Sequence, residues 1–339
     1  MKRRIAGRIG VWAALTALTP GLAACGAGAA DAGGGGAVQL SLVAYSTPQL
    51  AYEKIIKAYR ATPEGKDVRF AKSFGASGDQ SRAVESGRNA DIVAFSLEPD
   101  MTRLVDAGIV DGGWNADESH GMVTESVVVI GARRGNPKGI ENWDDLTRSG
   151  VQVITPNPFT SGGARWNLLA GYGAKSAVGD RPKAGFGYLK RLLRNVPALD
   201  DSARKSLRTF LGGKGDAILA YENEAIFARQ RGQKLDYTVP HDTILIEHPV
   251  AVTRTSKHPE EAAAFLTFLR SKQAQQIFVD HGYRPTVAGV PGGDEFPEPA
   301  GLFTIKDLDG WPEVRKTIFD PEQGRVAGIA RDLGIAVEK

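Results

Sequence analysis

The 339-residue chain has one cysteine, Cys25, which excludes an internal disulfide and a cysteine-rich zinc site. Its five histidines, His120, His241, His248, His258 and His281, show no close metal-ligand spacing. Surface or structural roles are expected for them, and neither a metal nor another cofactor is expected. A phosphate-binding P-loop is missing too, since Gly212-Gly213-Lys214-Gly215 lacks its spacing and its Ser/Thr. Gly75-Ala76-Ser77-Gly78-Asp79 lacks the second glycine of a nucleophile elbow. No Ser–His–Asp constellation can be placed, so the chain reads as a binding protein and not an enzyme. Surplus positive charge is also absent once the first residues are set aside. The net charge is +3, but Lys2, Arg3, Arg4 and Arg8 are all in the leader; without them 38 Lys and Arg face 39 Asp and Glu. Such a surface gives no reason to expect nucleic acid as a partner.

The leader itself is informative. Four basic residues precede an apolar run over residues 9–24, too short to span a bilayer, which reads as a cleaved export signal. The run ends at Leu22-Ala23-Ala24-Cys25, which resembles a bacterial lipobox. The resemblance implies that Cys25 becomes the lipidated first residue of the mature chain. Gly33 to Gly36 and the alanines around them read as a flexible tether. One lipid chain anchors weakly, so dual acylation is expected.

After residue 37, strand-like and helix-like segments alternate. Residues 38–45, 68–74, 91–95, 151–154 and 217–221 read as strands, and residues 222–230 as a helix. Residues 260–278 hold one or two helices. Thr47 is placed to cap a helix starting at Pro48, and residues 142–146 to start another. This alternation predicts an α/β fold with mostly parallel sheets. About 300 mature residues predict two lobes. Two longer strand-like runs, residues 123–132 and 244–253, are candidates for crossing between them. The expected division is a signal over 1–24, a tether over 25–37, lobe I over 38–122 and 249–339, and lobe II over 123–248.

Four segments are suited to presenting donors to an anion. The strongest is Thr155-Pro156-Asn157-Pro158-Phe159-Thr160-Ser161-Gly162-Gly163-Ala164-Arg165-Trp166-Asn167. Here a strand hands over, through prolines, a hydroxyl and two glycines, to an amphipathic helix. The first N–H groups of a helix have no intrahelical acceptor and carry the positive end of its dipole. No carboxylate lies between Val151 and Leu169 to repel an anion. A second segment is Gly75 to Gln80, where Ser77 and Gln80 fit a capping box. The third, Asp200-Asp201-Ser202-Ala203-Arg204, reads equally well as a solvated helix cap. The fourth is Tyr221 in Leu219-Ala220-Tyr221-Glu222-Asn223-Glu224-Ala225, either a core residue or a donor into a cleft.

Taken in order, several motifs resemble the bacterial sulfate/thiosulfate ABC-importer binding proteins, a type II periplasmic-binding-protein family. They include Arg134-Gly135-Asn136-Pro137-Lys138, Trp143-Asp144-Asp145-Leu146, residues 153–158, residues 161–167 and Tyr221 to Ala225. Tyr283-Arg284-Pro285, Leu302 to Ile305, Trp311 and Phe319-Asp320-Pro321 continue the resemblance. It implies a two-lobed fold, each lobe a mainly parallel sheet flanked by helices, with the ligand cleft between them. It also implies sulfate as ligand, ABC permease subunits as partners, a monomer, and an address at the outer face of the cytoplasmic membrane. Carried over by motif, Ser77, Gly162, Gly163 and Ala203 supply backbone N–H groups and Ser161 its hydroxyl. Tyr221 stands where the family carries a tryptophan donor, which is a departure. Thiosulfate is the runner-up ligand, then molybdate or phosphate; an extracytoplasmic enzyme acting on sulfate or phosphate esters is the alternative from another class.

Neutral donors suit sulfate, which carries no proton at neutral pH. Monohydrogen phosphate brings a proton that finds no acceptor in such a site, a cost of about 1–3 kcal/mol. The nearby acids Asp79, Asp201 and Glu222 are therefore expected to point away from the ligand. Arg165 and Arg204 are expected to brace the loops, Trp166 to lie in the core, and Glu222 and Glu224 to make hydrogen bonds behind the site.

Overall fold

The computed structural model describes residues 37–335 and residue 337. The expected signal, Cys25 and all but the last residue of the tether lie outside the described residues. Strands β1 (Val38–Tyr45), β2 (Val68–Gly75) and β3 (Ile92–Ala94) are parallel, in the order β2-β1-β3. Helices α1 (Gln49–Tyr59), α2 (Ser77–Glu85) and α3 (Glu98–Asp106) follow them in turn. The pleat sorts the side chains of β1. Leu40, Leu42 and Ala44 join Tyr52 and Ile55 of α1 in one apolar cluster, whereas Val43 joins Val84 of α2 and Met101 and Leu104 of α3 in another. Cover on both faces shows at the end of the strand, where Leu42 to Tyr45 are all buried, while the polar Gln39 and Ser41 give its start the alternation that marks it as a strand.

The second half of the sheet starts from β4 (Met122–Arg133) and β5 (Val153–Pro156). After them come α4 (Gly162–Ser176), α5 (Pro182–Arg194), β6 (Leu199–Asp200) and α6 (Ala203–Leu211). Next are β7 (Ala217–Tyr221), α7 (Glu222–Gln230), β8 (Leu235–Thr238) and β9 (Asp242–Val252). Strands β7, β5 and β6 are parallel neighbours. Again the pleat decides partners: Val128 and Ile130 meet Leu168 of α4 and Leu189 of α5, and Val127 and Val129 meet Leu207 and Phe210 of α6.

Strands β4 and β9 join the halves. They pair antiparallel from Met122↔Pro249 to Val127↔Leu245. Beyond that stretch β9 pairs with β3, at Ile92↔Val252, and β4 with β7, at Val128↔Tyr221. The two long runs of the sequence are thus the strands that cross. The α/β class is as expected; β2, β1 and β3 are parallel to one another, as are β7, β5 and β6, while β4 and β9 pair antiparallel with each other and with their other neighbours β3, β7 and β8.

Helices α8 (Pro259–Leu269) and α9 (Lys272–Asp280) cover the first half, placing Phe265 and Phe278 in the cluster of Leu40. Strand β10 (Arg284–Pro285) adds to β4, and β11 (Gly301–Phe303) runs parallel to the start of β9. The last helices, α10 (Gly310–Thr317) and α11 (Arg325–Asp332), pack elsewhere. Phe303, Trp311 and Val326 share a cluster with Trp166 and Leu168 of α4, and the Trp166 and Trp311 rings meet edge-on at 4.8 Å. No helix among the described residues is long and apolar enough to cross a membrane.

Two local expectations are corrected. Thr47 does not cap α1; Pro48 holds the cap position, and the Thr47 hydroxyl lies 3.1 Å from the Tyr283 hydroxyl. Residues 142–146 start no α-helix. The Asp145 carboxylate accepts the N–H groups of Glu141 and Asn142 at 2.9 and 3.0 Å, and only a 3-10 turn over Asp145–Thr147 forms.

Candidate anion-binding site

Three helices begin at one small cavity with about 200 Å³ of empty space. Their first residues are Ser77 of α2, Gly162 of α4 and Ala203 of α6. Each start follows a residue in extended backbone: Ala76, Ser161 and Ser202. The first N–H groups of a helix have no intrahelical acceptor, and among the described residues those of Ser77, Gly162, Gly163 and Ala203 have no partner at all, whereas those of Gly78, Ala164 and Lys205 are bonded to Thr160, Ser161 and Ser202. All six residues singled out in the sequence, Ser77, Ser161, Gly162, Gly163, Ala203 and Tyr221, line this cavity. Tyr45, Ser46, Thr47 and Ser96 line it as well.

The glycines are there for approach. A Cβ on Gly163 would stand 3.2 Å from Ala203 Cβ, 3.4 Å from the Tyr221 hydroxyl and 3.5 Å from Ser161 Oγ. Those three groups therefore converge on the space that a side chain at Gly163 would take. A Cβ on Gly162 would be 2.3 Å from Ser96 Oγ, closer than the atoms can pack. Only glycine lets α4 begin this near to the loop after β3.

The hydroxyls divide into committed and free. Ser77 does not form the expected capping box with Gln80. The helix starts one residue earlier than that motif requires, so Ser77 lies inside the first turn. Its hydroxyl donates to Asp100 Oδ2 at 2.6 Å and accepts the Ser96 N–H at 2.9 Å. Ser77 therefore has its backbone N–H left to offer. Ser202 does cap α6, accepting the Lys205 N–H at 3.4 Å. Ser161 is buried, and among the described residues its hydroxyl has no hydrogen-bond partner. The Tyr221 hydroxyl lies 2.9 Å from Ser96 Oγ.

Among the described residues, no charged side chain lines the cavity. Asp79 pairs with Arg82, Asp201 with Lys205 at 2.9 Å, and Glu222 with Arg284 at 2.8 Å. Arg165 donates from Nε to the Pro158 carbonyl at 2.9 Å and so holds the loop that leads to Ser161. Arg204 pairs with Glu224 at 2.9 Å and donates to the Thr47 carbonyl. Both arginines brace the wall. Burial raises the pKa of Asp100, opposed chiefly by the charge of Arg165, and raises that of Glu224, opposed chiefly by Arg204. The Tyr221 phenol is pushed well above its usual value by burial and stays protonated.

Beneath the cavity an aromatic group supports Tyr221. His248 stacks on Tyr45 at 5.1 Å and meets Tyr221 at 5.6 Å and Tyr283 at 5.7 Å. Burial drives its pKa down to about 3, so the ring is neutral, and its Nδ1 lies 3.1 Å from the Thr124 carbonyl. Trp166 is fully buried in the core, as expected, and its indole N–H also donates to the Ser96 carbonyl at 2.7 Å. His248 thus has a structural role, one of the two expected for the histidines; sequence reasoning missed Ser96 and Asp100. Ser96 follows a three-residue strand and belongs to no motif, so no sequence signal points to it.

Comparison with known proteins follows the same line. A family model described as bacterial extracellular solute-binding protein matches residues 40–284. The sulfate-binding protein of Synechococcus elongatus (strain PCC 7942) is 40% identical over 335 residues, covering 92% of this chain and 95% of that protein. A thiosulfate-binding protein of Escherichia coli (strain K12) is 34% identical over 269 residues, covering 75% and 79%. Among solved structures, the sulfate-binding protein SubI from Mycobacterium tuberculosis H37Rv superposes with a TM-score of 0.81 at 44% identity. That match spans 84% of this chain and 100% of the other.

Proposed function

This chain belongs to the bacterial extracellular solute-binding protein family, and we propose that it captures sulfate in the cavity at the starts of α2, α4 and α6 and delivers it to an ABC importer. The observation that carries this reading is the pairing of three helix N-termini with a wall that, among the described residues, has no charged side chain. The proposed donors are the N–H groups of Ser77, Gly162, Gly163 and Ala203 and the hydroxyls of Ser161 and Tyr221. A dianion there is neutralised in part by the helix dipoles and is released without breaking a guanidinium fork. Monohydrogen phosphate has one proton more than the site accommodates, which disfavours it by about 1–3 kcal/mol, or about 5- to 150-fold. No chemistry on the ion is proposed.

In this reading the cavity lies between two lobes that close on it. The crossing of β4 and β9 supports boundaries near residues 122 and 249. The segment from Gly301, expected with lobe I, shares its apolar cluster with Trp166 and Leu168, and we assign it to lobe II. We further propose that the mature protein begins at a lipidated Cys25 and works as a monomer at the outer face of the cytoplasmic membrane, docking on permease subunits.

The test is calorimetric titration of the protein from Ala37 onward, purified without sulfate, with sulfate, thiosulfate, molybdate and phosphate in turn. Tight one-to-one sulfate binding that excludes phosphate is expected. Preference for thiosulfate, the ligand named for the 34% identical relative, would move the specificity and keep the role. Binding of no oxyanion would sink the reading.

A further inference from the structure

Ser96 is held from both halves of the sheet. Its N–H donates to Ser77 Oγ at 2.9 Å, and its carbonyl accepts the Trp166 indole at 2.7 Å. With the main chain fixed, its side chain reaches over Gly162 to the Tyr221 hydroxyl at 2.9 Å. Ser96 is 2% exposed and Tyr221 1%, and both line the cavity. They belong to different halves: Ser96 follows β3, and Tyr221 ends β7.

Two hydroxyls carry two protons, and the bond between them uses one. Neither oxygen has another partner among the described residues, so the second proton is left for whatever occupies the cavity. Two arrangements are open. In one, Tyr221 donates to Ser96; the occupant then receives the weaker donor and faces lone pairs of the phenol oxygen, which repel an anion. In the other, Ser96 donates to Tyr221 and the phenol, the more acidic group, donates to the anion. Each bond in that chain polarises and strengthens the next. We propose that Ser96 is a positioning residue whose hydroxyl sets the Tyr221 phenol as a donor to the bound oxyanion, across the two halves of the sheet. The proposal rests on the reading of the cavity as an oxyanion site. It also explains why a serine in no motif is locked by two main-chain bonds: a rotor is useful as a donor only when its own orientation is fixed.

The relay has a signature that a structural role lacks. An indole N–H donates only and has no rotor to set, so a tryptophan at this position needs no partner. Sulfate affinity is measured by calorimetry for Ser96→Ala alone, in a Tyr221→Phe background and in a Tyr221→Trp background, with melting temperatures alongside. Ser96→Ala is expected to raise Kd about tenfold when Tyr221 is present and by less than about twofold in the other two backgrounds. If tryptophan is not accommodated, the Tyr221→Phe background alone decides. Equal losses in every background would make Ser96 merely structural and overturn the relay, and so would no loss in the presence of Tyr221. Failure of the unaltered protein to bind sulfate would instead remove the oxyanion reading, and the relay with it.

Discussion

Arg204 lies 2.9 Å from Glu224, and the same guanidinium donates to the carbonyl of Thr47 in the cavity wall. Charge is used here to hold the wall, and the cavity itself is left to neutral groups. Glu224 is 1% exposed, so it cannot turn to water if its partner is removed. Arg204→Met is therefore expected to destabilise the fold by about 3 kcal/mol, read as a lowered urea midpoint. Adding Glu224→Leu should recover most of that loss, because the stranded charge goes too. A double variant as unstable as the single one would refute this account.

Ser161→Ala removes a hydroxyl that has no partner among the described residues. Sulfate affinity is expected to fall about tenfold or more, with an unchanged melting temperature. Gly163→Ala puts a methyl 3.4 Å from the Tyr221 hydroxyl and 3.5 Å from Ser161 Oγ, in the space proposed for the ion. Its loss should be larger, about a hundredfold, by the same titration. Gly162→Ala instead forces a Cβ to 2.3 Å from Ser96 Oγ and should lower the melting temperature as well. Full-strength sulfate binding by Gly163→Ala would place the ion elsewhere.

Sulfate affinity should be flat from about pH 6 to 9. Among the described residues no carboxylate, imidazole, ammonium or guanidinium lines the cavity, and burial holds the Tyr45 and Tyr221 phenols well above that window. A tenfold change in Kd across it would mean that a titrating group touches the ion.

His248 makes stability fall with acid. Unfolded, it titrates near its ordinary value of 6.5; folded, burial lowers this to about 3. Between those values the unfolded chain binds the additional proton, so stability from this group is complete above pH 6.5 and is lost as pH falls toward 3. The slope is about 1.4 kcal/mol per pH unit. Asp100 and Glu224, whose pKa values are raised by burial, act in the opposite sense, being stabilising at low pH and losing that contribution as pH rises through their raised values. A difference measurement separates the two. The urea midpoint of His248→Asn should approach that of the unaltered protein as pH drops from 7 to 4.5. A constant gap between them would contradict the lowered pKa.

Cys25→Ala should abolish labelling by radioactive palmitate and release the protein from the membrane fraction. Retention of the unlabelled variant in that fraction would point to another anchor.

Sequence carried most of the strands because their burial shows as pattern: β1 begins with polar residues alternating among apolar ones, and β7, buried along its whole length, is apolar up to its closing tyrosine. It carried the donor loop because prolines, glycines and a serine at the start of an amphipathic helix have few other uses. What it concealed depends on distant partners. Thr47 looks like a cap but meets Tyr283, 236 residues away. Ser77 looks like half of a capping box, yet its hydroxyl answers to Asp100, whose place is set by α3. Ser96 gains its position only when β3 lies between β1 and β9 and Trp166 reaches across to its carbonyl. Local pattern identifies a helix start; it does not say which buried oxygen waits opposite.

The pairing of β3 with β9 has a consequence in time. Ile92 needs Val252 beside it, so a ribosome must make the intervening residues before the first half of the sheet is complete. Until then β3 has β1 on one side and an open edge on the other. Pairings this distant in sequence form slowly. A nascent chain would therefore lack a finished first half for most of its synthesis, while the β4, β5 and β7 pairings, which need nothing beyond Tyr221, can form earlier.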